Sequence, residues 1–395
     1  DYLGTDELSA EDFKKEFYKL GSSFGVSASG DQTYIFLSGL SETMEQSMQL
    51  FEKLLANPKP DAEALKKMTD GMFKTREDTK KNKGAILSGG LVNYGLYGPK
   101  SSFTNVLTNK ELLALTPEEL IDLIKGFAKM EHRVLYYGPK KEDELLTALN
   151  TYHVLPEQLN PVPEPVEFKM KDITEPAVYW ADYDMVQAEF FFLAKEDAFD
   201  KDRIPKSRMF NEYFGGNMSS PVFQELREAQ GLAYSAYANF NTAAKDTEND
   251  MFYAYVGTQA DKQPEAMKGM LKLIREFPRS DNGFEVAKKS IMNQIESERI
   301  TKAAILFNYE SARKRGLTYD IRKDIYDQAQ KMTLDDVAEF QKQYIKDKKF
   351  NVVLVGSRDK IDLKDLKKYG KVQEISLDEL FGYEKQEKIN IEKPN

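Results

Sequence analysis

The 395-residue sequence has no cysteine, two histidines and one tryptophan. Without cysteine there are no disulfides, no thiol nucleophile and no Cys-ligated zinc. This leaves the compartment open, because cytosolic and periplasmic proteins alike do without it. The two histidines, His132 and His153, stand 21 residues apart and so cannot share a helical face as an i, i+4 metal-binding pair does. Each reads as a surface or interface imidazole. No apolar run approaches the ~18 residues that span a bilayer. Nor is there a one-signed basic stripe: 56 Lys and Arg are interleaved with 65 Asp and Glu, for a net charge of −9. Nucleic-acid binding, which depends on neutralising phosphates, is therefore not expected.

What is present is ample apolar material. Hydrophobic residues make up 41% and aromatics 12%, enough for large cores, and the length favours about two domains. Pro156, Pro161, Pro163, Pro165 and Pro176 resist helix and central strand, so 156–176 reads as an extended linker. It divides a first α/β unit, 1–155, from a second, 177–395.

The two units read as copies. Thr116-Pro117-Glu118-Glu119 opens a helix running to Met130, followed by a strand His132–Tyr137 that ends at Gly138. Thr333-Leu334-Asp335-Asp336 opens a helix running to about Lys346, followed by a strand Asn351–Val355 that ends at Gly356. Each helix has a Thr cap with an acid three residues on, the capping-box pattern. Upstream, Thr33–Ser38 with a helix from about Thr43 parallels Met251–Val256 with a helix from about Pro264. Gly39 and Gly257 are 218 positions apart, Thr116 and Thr333 217. Further helices are expected over 61–81, 83–96, 282–300 and 320–331. The fold class is α+β: two homologous units, each an antiparallel-rich sheet with helices packed on one face. The aromatic run Tyr179–Trp180 to Phe190–Phe192 reads as buried sheet. The second unit begins with a strand-like run, Ala177–Lys195, and a helix, 203–214, that the first lacks. This implies that a natural polypeptide continues upstream of Asp1, or that another chain fills the gap.

The segment Phe214-Gly215-Gly216-Asn217-Met218-Ser219-Ser220-Pro221 continues through Leu226-Arg227-Glu228 to Gly231-Leu232-Ala233-Tyr234. It reads as a tight Gly-Gly turn and a short helix capped by Ser219 or Ser220, with Pro221 in its first turn. Val222, Phe223 and Leu226 face the core, Gly231 breaks the helix and a strand starts at Leu232. Gly89-Gly90, without a P-loop lysine, reads as a turn or a packing site.

Gly-Gly turn, Ser-capped helix with Leu-Arg-Glu, and Gly-Leu-Ala-Tyr at this spacing resemble the second-domain signature of the pitrilysin/insulinase zinc peptidases. Tyr2-Leu3-Gly4-Thr5 and Gly21 resemble first-domain landmarks, so the likeness covers essentially the whole chain. It implies the non-catalytic half of a metalloendopeptidase, closing like a clamshell on a zinc-bearing half that lies upstream or on a partner chain. Arg227 and Tyr234 match the Arg and Tyr that reach the substrate backbone in that family, and Gly215, Gly216, Asn217 and Ser219 would line the substrate. The family's His-x-x-Glu-His, whose histidines and a distal Glu hold zinc, is absent. Two departures mark the inert half. Phe24-Gly25-Val26-Ser27-Ala28 stands where catalytic units carry Asn-Ala, and the distal-Glu helix is the lysine-rich Lys74-Thr75-Arg76-Glu77. Implied partners are peptide or unfolded polypeptide and the zinc half; this chain alone would hold no metal and hydrolyse nothing. The rival readings are an assembly subunit of processing-peptidase-partner type and an active peptidase cut just after its zinc motif. A bacterial envelope location is compatible with the sequence without being fixed by it.

Overall fold

The computed structural model describes residues 3–384. Tyr2 of the Tyr2–Thr5 landmark and residues 385–395 of the expected second unit lie outside the described residues. The chain forms two compact units: Asp1–Glu77 with Leu107–Glu167, and Asp78–Val106 with Phe168–Asn395. The stretch Asp78–Val106, inside the expected first copy, thus packs with the second unit.

In the first unit a hairpin of β1 (Ser23–Ser29) and β2 (Gln32–Ser38) turns through Gly30, whose φ of +60° suits glycine. Its small core gathers Phe13 and Phe17 of the helix Ala10–Lys19 with Phe51 and Leu54 of the helix Met44–Ala56. Thr116 opens the helix Pro117–Phe127 with a complete capping box to Glu119. Residues 132–137 are not a strand; the nearest ladder contact is a single bridge, Met130 to Asn160. A strand exists only where a neighbour takes its hydrogen bonds. The matching segment in the second unit lies between two neighbours, and among the described residues the first unit offers 132–137 none.

The second unit is built on six strands in the order β5-β6-β4-β7-β3-β8. These are β3 (Ala177–Asp182), β4 (Gln187–Ala198), β5 (Ser235–Asn241), β6 (Asn249–Gln259), β7 (Asn351–Gly356) and β8 (Lys371–Glu374). The run expected over Ala177–Lys195 is therefore two strands. Pairing is antiparallel from β5 to β7 and parallel from β7 through β3 to β8.

Strand alternation sorts two cores. Phe190 and Phe192 of β4, Phe240 of β5 and Phe252, Ala254 and Val256 of β6 face one way, against Phe210, Phe214, Met267, Met270 and Phe340. These come from the helices Ile204–Phe214, Gln263–Arg275 and Leu334–Tyr344, the last begun by a capping box of Thr333 with Asp336. Phe191, Leu193, Val353 and Val355 face the other way and are covered by Ile86, Leu87, Leu91 and Leu96. Those four belong to a π-helical turn, Ala85–Leu91, and the helix Val92–Tyr97. Both sheet faces therefore carry helices. Gly90 serves packing, since a Cβ there would sit 2.4 Å from Leu380. Among the described residues no helix is long and apolar enough to cross a membrane.

Candidate functional site

The helix Ile204–Phe214 runs into the turn that begins the candidate site. Neither glycine of the turn needs a left-handed backbone; both are required by close approach. A Cβ on Gly215 would lie 2.4 Å from the Ala238 nitrogen and 2.6 Å from its oxygen, and one on Gly216 2.7 Å from the Asn211 carbonyl. Gly215 is thus buried against β5, while Gly216 is exposed. Asn217 shapes the turn: its Nδ2 donates to the Glu212 carbonyl at 2.7 Å and its Oδ1 accepts from the Ser219 N–H at 2.8 Å. Ser219 lies on the surface, and Ser220 is the cap, accepting from the Phe223 N–H at 3.4 Å with Pro221 in the first turn.

Past Phe223 the backbone widens into a π-helical turn, Gln224–Ala229, in which the Gln230 N–H reaches back five residues to Glu225. Val222 and Leu226 are fully buried and fix the turn to the core. Phe223 is only half-buried and lies beneath Arg227, whose guanidinium sits 4.8 Å from the ring centroid. The Arg227 side chain is 47% exposed, and its Nε is 3.7 Å from Glu228, a loose surface pair.

Gly231 ends the turn with φ +58°, a conformation that favours glycine. The N–H groups of Leu232 and Ala233 both return to the Leu226 carbonyl. The strand begins at Ser235, not Leu232, because 232–233 spend their hydrogen bonds closing the helix. Tyr234 is pinned by its backbone, its N–H donating to Gly257 of β6 at 2.8 Å. The residue is 53% exposed and its phenol oxygen accepts from Gln259 Nε2 at 2.9 Å. The structure thus places the predicted Arg and Tyr on either side of the Gly231 turn, both residues about half exposed and the backbone of each segment fastened.

Residues that the sequence did not single out adjoin Tyr234. Ser235, Gly257 and Glu189 form one row across β5, β6 and β4. The next row on that face carries Tyr237, Tyr255 and Phe191, and Tyr237 stacks on Tyr255 at 4.8 Å. Glu189 pairs with Lys83. Burial, and then the Glu189 carboxylate, push the Tyr255 phenol well above its usual range, so it stays a donor. The signal for this patch was the alternation Met251, Tyr253, Tyr255, Gly257 along β6.

The outer edge of β5 is closed to strand addition at its far end. Asn211 spans both polar groups of Phe240, donating to its carbonyl at 2.9 Å and accepting from its N–H at 2.7 Å, and Gly215 lies against Ala238. Among the described residues, no three His, Asp or Glu side chains are grouped to hold a metal ion. Glu77 lies on an exposed face of the helix Ala62–Thr79.

Residues 114–290 match the family model described as the peptidase M16 inactive domain. The chain is 26% identical over 372 residues to the Helicobacter pylori protein described as non-peptidase homolog YmxG, covering 90% of this chain and 83% of that one. The structure of a peptidase M16 inactive domain from Pseudomonas fluorescens superposes with a TM-score of 0.66 at 18% identity, over 91% of this chain and 87% of that one. Pitrilysin superposes with a TM-score of 0.65 at 13% identity, over 93% of this chain but 39% of its own. Residues 114–290 therefore match the peptidase M16 inactive domain in sequence, and the chain shares its fold with pitrilysin-type M16 proteins and their inactive homologues.

Proposed function

We propose that this chain is the zinc-free half of an M16-type pair, binding peptide or unfolded polypeptide and completing the chamber of a homologous zinc-bearing half. The observation that carries this is the Arg227–Tyr234 segment: two exposed hydrogen-bond donors on a backbone anchored by Leu226, Gly231 and Gly257. A peptide bond under hydrolysis gathers negative charge on its former carbonyl oxygen, and a preorganised guanidinium or phenol stabilises it. Zinc and the activated water come from the other half. In this reading Gly216 and Ser219 touch the substrate, Asn217 holds the turn and Gly215 seats it on β5.

The test is reconstitution with a zinc-bearing M16 half and a fluorogenic peptide. Arg227→Ala and Tyr234→Phe should each lower turnover by roughly 100- to 1000-fold while the pair still assembles on size exclusion. The relative named a non-peptidase favours a second reading, in which the chain organises an assembly without hydrolysis. Intact assembly with unchanged turnover in both variants would establish that reading instead.

A further inference from the structure

The chain's two histidines meet in the first unit. His132 lies in the extended segment after the helix Pro117–Phe127, and His153 caps the C-terminus of the helix Glu142–Tyr152. Their Nε2 atoms are 2.9 Å apart. Each Nδ1 faces an acceptor: the Met130 carbonyl at 2.7 Å from His132, and Oε1 of Glu52, on the helix Met44–Ala56, at 2.8 Å from His153. A carbonyl and an ionised carboxylate only accept, so both Nδ1 atoms carry hydrogen. A neutral imidazole has one ring hydrogen. Two neutral rings would therefore turn bare lone pairs on each other at hydrogen-bond distance. The arrangement calls for one cation between the nitrogens.

A metal and a proton ask for different geometry. A metal draws two lone pairs together at an angle. Here the ring centroids are 5.1 Å apart, exceeding the nitrogen separation by nearly the centre-to-atom depth of both rings. The nitrogens point almost straight at each other, as in an N–H···N bond. We propose that His132 and His153 share a single proton, and that this pair latches the segment around His132 and the end of the helix Glu142–Tyr152 to Glu52.

Glu52 supplies the balancing charge from its helix. Tyr152 precedes His153, and Lys129, Glu131 and Arg133 flank His132. The latch holds in a pH window. Glu52 raises the His153 pKa above 6.5, with burial opposing it. Stability from that contact is complete below the unfolded-state value and is lost as pH rises through the folded value. On the acid side a second proton sets two cations nose to nose and opens the pair.

The full chain labelled with 15N in its histidine rings presents only these two rings to NMR. The expected result is two protonated Nδ1 atoms, a proton shared between the Nε2 atoms and titration in two coupled steps. Amide exchange in 130–134 and 149–153 should be slowest in mid-window and about tenfold faster on either side. His132→Gln should leave His153 titrating in one step, and Glu52→Gln should keep the pair but lower the His153 midpoint. Independent titration of the rings, a fixed Nε2–H tautomer on each ring with the two Nε2 atoms apart, or stoichiometric zinc that occupies both Nε2 atoms would overturn the proposal.

Discussion

Glu196, on β4, offers a quantitative test of the second unit. Its side chain is fully buried, and its ion-pair partner is the Lys348 ammonium 2.7 Å away. Burial dominates, with Lys348 opposing, and the pKa rises from 4.5 to about 7. The folded chain therefore keeps this proton when the unfolded chain has lost it. The stabilisation is complete below 4.5 and drains away as pH rises through about 7. The shift corresponds to roughly 3 kcal/mol, or roughly 6–12 °C in the melting temperature of a unit this size. Glu196→Gln removes the titration while keeping the shape. Trp180, the only tryptophan, is buried in the same unit and reports its unfolding by fluorescence. Denaturant melts of the two proteins from about pH 4.5 to about pH 8.5 give a difference profile in which other carboxylates cancel. The wild type should lose about 3 kcal/mol relative to the variant across that range. A flat difference, or one that grows in the wild type's favour with pH, would refute the reasoning.

Two further substitutions probe the candidate site. Gly215→Ala should destabilise the second unit by about 1–3 kcal/mol in denaturant melts, because the new methyl meets the Ala238 backbone rather than a movable side chain. Asn211→Ala should cost about 1–3 kcal/mol, since the Phe240 N–H and carbonyl both lose their partner. It should also bare the β5 edge, seen as concentration-dependent association in light scattering that the wild type lacks.

Local chemistry was legible in the sequence. The Thr116 and Thr333 capping boxes and the helix break at Gly231 depend on a few neighbouring residues, and each lies where the residues put it. Features set by distant partners were not legible. Residues 132–137 have the composition of a strand, but a strand also needs a neighbour, and composition does not reveal whether one exists. Likewise, the separation of His132 and His153 excludes a shared helical face but says nothing of an extended segment meeting a helix end. The π-helical widening at Gln224–Ala229 shifts Arg227 relative to an ordinary helix without a residue that announces it. In the candidate site, Arg227 and Tyr234 were singled out through a recognisable segment, while their exposure is read from the structure. The neighbouring Glu189 and Tyr255 became visible only once strand register had aligned β4 with β6.

The assignment of Asp78–Val106 to the second compact unit means the chain passes between units three times, at 77/78, 106/107 and 167/168. The boundary expected from the sequence at 156–176 is thus not the only one the compact units draw. Cutting at the proline-rich stretch would strip Ile86, Leu87, Leu91 and Leu96 from the apolar sheet face they cover. The second unit therefore closes its core only with a stretch that the chain supplies before it passes through Leu107–Glu167 of the first.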